Sequence, residues 1–267
     1  MTEPVIRQYQ PEDIPALSRL WQATFGDSEE FIAGFFRFLP GMGTALCLEM
    51  GGEIIGEISL ITDLSLLLPN GPEMRIGYVY ALAVAESFRG CGYGRALTEA
   101  LADLARSTGT ELLSTLPATD SLYDFYAAHG LTHILSVTQQ VVPAAEAPAV
   151  RLDCADYLTY RETALAGESH LHLGETAAAF QQFLCTCYGG GLFAAAGGVC
   201  SATAEDGLCR ISEVLSPCPE ATAAAVAHVL GCDRAVFTLP SADGAGNKFL
   251  CLDREIPAQT VWNITFS

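Results

Sequence analysis

Arg89-Gly90-Cys91-Gly92-Tyr93-Gly94 puts three alternating glycines and a fixed cation where an apolar run hands over to a helical pattern. The apolar run is residues 78–84, YVYALAV, and the helical pattern covers 93–107, where Leu97, Leu101 and Leu104 share one face. A strand, a glycine turn and a helix start together make a place for an anion. The first turn of a helix has N–H groups without partners, and its aligned peptide dipoles add partial positive charge. Glycine removes the Cβ that would hold a phosphate away, and it tolerates positive φ. Arg89 and Arg95 flank the turn in a chain of formal net charge −18. The local cations decide what this loop can hold.

Two common phosphate loops are excluded. The pattern G-x-x-x-x-G-K-[ST] is absent, and Lys248 is the only lysine in the chain. The dinucleotide pattern G-x-G-x-x-G fails because Gly92-Tyr93-Gly94 is followed by Arg95-Ala96-Leu97. The acidic balance argues against nucleic acid and would draw cationic partners such as amines. No window reaches the roughly 18 apolar residues of a membrane span, since LITDLSLLLPN is broken by Asp63. The start, MTEPVIRQYQPEDIPAL, lacks the basic and apolar runs of a secretory signal. Ten cysteines sit scattered in apolar surroundings and read as free thiols of a soluble, cytoplasmic protein. Cys185 with Cys187, and His170 with His172, lack the further ligands of a metal site, so no metal is expected.

The elements that must position this loop follow from periodicity and turn residues. VIRQY is a short strand, PEDIPALSRLWQATFG a helix stopped by Gly26, and DSEEFIAGFFRFL a second helix. GTALCLEM and EIIGEISLITDLSLLL are strands joined by a glycine turn, and RIGYVYALAV is the strand before the loop. After the loop helix come the strand ELLSTLP, the helix DSLYDFYAAHG and a closing strand, LTHILSVTQQVV. The order β-α-α-β-β-β-α-β-α-β predicts a mixed α/β fold with an α+β mixed sheet. The Pro/Ala-rich stretch 143–150 is the expected linker between domains 1–142 and 151–267. The second half repeats part of the order, with CTCYGGGLFAAAGGVCSA echoing LCLEMGGEIIGEISL and RAVFTLP echoing ELLSTLP.

Arg89-Gly90-Cys91-Gly92-Tyr93-Gly94 resembles the R-x-x-G-x-G motif of the GCN5-related N-acetyltransferase (GNAT) superfamily, which there holds the pyrophosphate of acetyl-CoA. FYAAHGL, some 30 residues on, resembles that family's second signature, with Tyr126 as its tyrosine and Leu131 where Phe is commoner. The resemblance covers roughly residues 5–142. It implies a GNAT acyl-CoA-binding catalytic domain followed by a degenerate GNAT-like domain, and acetyl-CoA as co-substrate. Residues 89–95, from Arg89 to Arg95, would hold the diphosphate. The Leu82, Ala83 and Val84 backbone would pair with the pantetheine, and Thr119 stands where many members have an Asn that contacts it.

The same resemblance puts Tyr126 beside the cofactor sulfur, as hydrogen-bond donor to the leaving thiolate. The usual carboxylate base of the central strand is replaced by Tyr80, so Glu57, Glu73 and Glu86 remain as candidate proton acceptors. Tyr78 and Tyr80 point the same way along the strand and form an aromatic wall suited to a cation. The expected activity is N-acetyl transfer to a primary amine, on a small molecule or a peptide. A longer acyl-CoA, or a CoA-binding sensor without turnover, are the alternatives. The second half joins strand to helix through LSPCPEATA, which has no glycine cradle, and acids such as Glu213 either shape the acceptor cleft or only pack.

Overall fold

The computed structural model describes residues 3–69, 71–241 and 246–266. The chain divides into two compact units, neither continuous in sequence. One holds the residues up to Ser65, Met74–His133 and Leu250–Glu255; the other holds Leu66–Glu73, Ile134–Phe249 and Ile256 onward.

The elements of the first part of the chain are β1 (Val5–Gln8), α1 (Ile14–Phe25), α2 (Glu29–Met42), β2 (Gly43–Met50), β3 (Glu53–Ile61), β4 (Leu64–Leu67), β5 (Met74–Val84), α3 (Tyr93–Ser107), β6 (Leu112–Thr115) and α4 (Asp120–Ala127). Then follow β7 (His133–Pro143), β8 (Ala149–Leu152), α5 (Cys154–Ala164), β9 (His170–Leu173), α6 (Glu175–Cys187), β10 (Gly191–Ala195), β11 (Gly198–Glu205), β12 (Leu208–Leu215), α7 (Pro219–Val229), β13 (Arg234–Pro240) and β14 (Asn247–Leu252).

In the first unit the strands lie in the order β1-β2-β3-β5-β6, followed by the end of β14. Pairs up to β3–β5 are antiparallel, and β5–β6 is parallel because α3 crosses between them. Local chemistry sets the helix ends. Ser28 Oγ accepts from the Phe31 N–H at 3.1 Å to start α2, and Gly26 at φ 81° closes α1. One sheet face packs on α3 through Leu46, Leu48, Ile58, Leu60, Val79, Leu97 and Leu101. The other carries α1, whose buried residues are Leu17, Leu20 and Trp21.

The second unit repeats this plan. Its order β8-β10-β11-β12-β13 has the same antiparallel pairs and one parallel pair, β12–β13, with α7 crossing as α3 does. The helices α5 and α6 stand between β8 and β10 as α1 and α2 stand between β1 and β2. The mixed α/β fold and the repeated halves are therefore both present.

Two local expectations need correction. The stretch EIIGEISLITDLSLLL is not one strand, because Thr62 and Asp63 both turn their N–H groups onto the Met42 carbonyl, at 2.8 and 3.1 Å. LTHILSVTQQVV is indeed a strand, but it pairs with β13 in the second unit. The outer edge of β6 is taken instead by Cys251 and Leu252, clamped where Asp253 exchanges hydrogen bonds with the Leu113 backbone. The stretch read as a linker is also tied down. Ala144 donates to the Asp233 carbonyl and Ala145 to that of Ala224.

Candidate functional site

The site is made where β5 leaves β6. Their parallel ladder covers Ile76, Gly77 and Tyr78, paired with Leu112, Leu113 and Ser114. β5 runs on to Val84, paired on its other edge with β3. Between the pairs Tyr80–Ser59 and Ala83–Glu57, β5 spends one residue more than β3, which makes a bulge at Ala81-Leu82. Ala81 is held at φ 51°, a left-handed conformation that costs an L-residue about 1–2 kcal/mol. A bulge of this kind bends the strand that carries it. The β6 ladder ends at Tyr78, so the Leu82–Val84 backbone runs beyond it.

The loop that follows is open. Gly92 caps α3 at φ 84°, and Gly90 stands at φ 77°. A Cβ added at Gly90, Gly92 or Gly94 would meet nothing within 4 Å. The first N–H bonded within α3 is that of Ala96, to the Gly92 carbonyl. The N–H groups of Tyr93, Gly94 and Arg95 therefore have no helical partner. Cys91 is exposed there, and Tyr93 leans back, its hydroxyl 3.8 Å from Met50 Sδ. The two arginines are both exposed. Arg89 Nε donates to the Val84 carbonyl at 3.0 Å, and Arg95 pairs with Glu99 at 2.8 Å.

Tyr126 lies at the fork. Its phenol is hydrogen-bonded with Thr115, whose Oγ1 donates to the Val79 carbonyl at 3.0 Å. Thr115 thereby satisfies a β5 carbonyl that β6 no longer reaches. Burial pushes the Tyr126 phenol up to about 12. Tyr78 is wholly buried and hydrogen-bonds the Leu116 backbone, near enough to Tyr126 for their charges to couple. Tyr80 is half-buried against Trp21 and Phe35, with ring centroids 5.7 and 5.5 Å away. The expected aromatic wall is therefore set into the α1/α2 side. Thr119 lies farther out, exposed and paired with Ser121 at 3.0 Å.

Residues 9–131 match the model of the acetyltransferase (GNAT) family. Those residues are a GNAT domain. No curated protein matches the chain. Solved structures extend the likeness in fold to both halves. A GCN5-related N-acetyltransferase from Kribbella flavida is 16% identical, with 94% of this chain and 71% of that one covered at a TM-score of 0.63. A conserved protein of unknown function from Enterococcus faecalis is 12% identical, over 94% of this chain and 72% of that one, at 0.68. A GCN5-related N-acetyltransferase from Anabaena variabilis is 14% identical, over 94% and 72%, at 0.60.

The GNAT domain holds one further group that the sequence marked only as one of three acids. Glu57 is fully buried, and neither carboxylate oxygen has a hydrogen-bond partner among the described residues. Burial alone raises it well above the carboxylate range. Glu73 and Glu86, its rivals, are exposed. The second unit contains a buried acid as well. Glu213 accepts from Tyr157 at 2.6 Å and from Arg161 at 2.8 and 3.1 Å, all three residues being buried. Its carboxylate is consumed within its own core. The loop before α7 has only residues 216–218, against 85–92 before α3. Pro219 at the first helical position removes one of the N–H groups. Ten cysteines are free, six of them buried. No helix of the described residues is long and apolar enough to cross a membrane.

Proposed function

We propose that the chain transfers an acetyl group from acetyl-CoA to a primary amine, through the GNAT domain of the first unit. One observation carries this reading: an open glycine turn with three N–H groups unpaired among the described residues follows a strand that has left its neighbour. The cradle fits a diphosphate because the space a Cβ would fill is free at each glycine. Gly90 to Arg95 would hold the diphosphate by backbone, with Arg89 as the flanking cation. The Leu82–Val84 backbone beyond the ladder suits pantetheine amides, which pair as an added strand does. Acetyl-CoA, when bound, supplies an activated thioester.

The protein's own groups then do three things. A backbone N–H near Leu82, turned by the bulge, stabilises negative charge that develops on the carbonyl oxygen. Tyr126 donates a hydrogen bond to the sulfur as it leaves. With a phenol pushed to about 12 and a thiol near ~8.5, complete transfer of its proton is uphill by about 5 kcal/mol. Tyr126 is therefore a donor and does not give up the proton. The amine must also shed a proton before it attacks, at a cost of about 4–5 kcal/mol at neutral pH for a pKa near ~10.4.

Calorimetry with acetyl-CoA, followed by thiol release across a panel of primary amines, tests the proposal. Micromolar binding with amine-dependent release is the expected outcome. Tight binding without release by any amine would leave a CoA sensor, and absence of binding would end both readings.

A further inference from the structure

We propose that Glu57 receives the acceptor's ammonium group and takes its proton, an inference that rests on the amine-acyltransferase reading above. Strand alternation sets the direction of Glu57. A Cβ on Gly56 would meet Leu97 of α3 at 3.0 Å, so Gly56 faces α3 and Glu57 faces the α1 side. Its cross-strand partner Ala83 lies in the segment assigned to the pantetheine, and Tyr80 stands one pair further along. The thioester approaches from the α3 loop, and the amine from the opposite face of the same strand. Glu57 waits on the amine's side.

The second unit carries its buried carboxyl in the same cross-strand pair, on the opposite strand, and shows what such a group needs. There the first pair past the bulge is Glu213–Ser201, the counterpart of Ala83–Glu57, since β12 spends one extra residue at Ser212. α5 covers it with Tyr157 and Arg161, four residues apart, both bonded to Glu213. The buried positions of α1 with that spacing are Leu17 and Trp21, which offer neither charge nor a carboxylate donor apart from the indole N–H, already given to Asp27 at 2.8 Å. The scaffold can supply a guanidinium to a carboxyl in this cross-strand pair, and among the described residues of the first unit it supplies none. An ammonium from outside fits that role.

The other groups on this face do not compete. Cys47 lies opposite on β2, its thiol pushed up to about 11 by burial, and the Arg7 charge beyond it is engaged by Asp13 and Glu49. Tyr80 lies diagonally on β5, α1 adds Leu17, Leu20 and Trp21, and α2 buries only apolar residues. In the reaction the ammonium loses one proton to the Glu57 carboxylate. Its nitrogen forms the C–N bond, the C–S bond breaks with its electron pair on sulfur, and the second N–H proton goes to the thiolate. The products are the amide, the free thiol and protonated Glu57.

The test uses the full chain with Glu57→Gln and Glu57→Leu. Both should fold and bind acetyl-CoA as the parent does, with Glu57→Leu melting higher because an unpaired buried carboxyl is gone. Amine-dependent turnover should fall about 10²-fold or more in both. The parent's rate should climb with pH and level off once Glu57 ionises, whereas Glu57→Gln should have no such plateau and should follow the free-amine fraction upward. An infrared titration of the ligand-free protein should show a carboxyl that ionises above the ordinary carboxylate range and that Glu57→Gln lacks. Unchanged turnover and pH profile in Glu57→Gln, or a lower melting point for Glu57→Leu, overturns the proposal. A parent that binds no acetyl-CoA, or uses no amine, sinks the acyltransferase reading itself.

Discussion

In each unit a strand takes one extra residue just as it departs from its parallel neighbour, and a helix follows. From that shared frame the two diverge at two places. Among the described residues, the first unit leads into α3 through an open glycine turn that leaves three N–H groups unpaired, and it buries Glu57 with no partner. The second reaches α7 over a short link that starts with Pro219, and it buries Glu213 under Arg161 and Tyr157. One half leaves polar groups unmet where the other has met them internally. Buried or convergent polar groups without partners cost stability, so a fold keeps them where a ligand will supply the missing contact.

The largest effect should come from closing the glycine cradle. Gly92→Val forces a branched side chain into φ 84° and fills the space above the N–H groups, so acetyl-CoA binding should drop below detection by calorimetry. Gly94→Ala separates space from strain, because Gly94 lies inside α3 with an ordinary φ and its Cβ would still enter the free volume. A loss of at least 10-fold in affinity is expected there. Normal affinity in both variants would mean the turn is not the anion site, and the contrast between the loops would lose its meaning.

Next in size is the buried ion pair of the second unit. Arg161→Ala strips Glu213 of its cation and leaves it only the Tyr157 hydroxyl, and should destabilise by about 3–5 kcal/mol in urea unfolding. Arg161→Met with Glu213→Leu removes both charges and should return most of that loss. If Arg161→Ala were harmless, this fold would tolerate orphan carboxyls, and Glu57 would need no ligand to explain it. Smaller again is Tyr126→Phe. Removing the hydroxyl leaves the Thr115–Val79 bond in place, so cofactor binding should hold while turnover falls about 10²-fold, near ~2.7 kcal/mol of barrier. Turnover at the parent's rate would leave Tyr126 only a packing role.

Much of this was legible in the chain, and the rest was hidden for definite reasons. Gly90, Gly92 and Gly94 announce themselves, because only a backbone approach needs three such positions beside two arginines. The element order follows from local periods, and so does the repeat. What local periods cannot show is pairing between distant segments. Cys251 and Leu252 edge β6 from some 140 residues away, and β7 joins β13 across about 90–100 residues. The bulge at Ala81-Leu82 is silent as well, since YVYALAV carries no glycine there, and only the register with β3 exposes the extra residue. Glu57 and Glu213 read alike in sequence, each an acid inside an apolar strand. Arg161, which distinguishes them, comes from a helix 52 residues before Glu213.

The smallest expected effect bears on that distinction without any ligand. Burial holds the Glu57 proton more tightly in the folded chain than in the unfolded one, where the ordinary value is about 4.5. The folded state therefore keeps its full stability below that value and loses it as pH climbs towards the raised folded pKa, by up to about 1.4 kcal/mol per pH unit in between. Glu57→Gln has no such proton to lose. Denaturant unfolding of the two proteins, compared across the range above about pH 4.5, should give curves that part company steadily, with the variant gaining relative to the parent. Glu213 supplies the internal control, since its carboxylate is paired with Arg161 and Glu213→Gln should cost stability over the same range. Parallel curves for the Glu57 pair would mean that its carboxyl finds a cation inside the folded chain, and the two halves would then differ only in their loops.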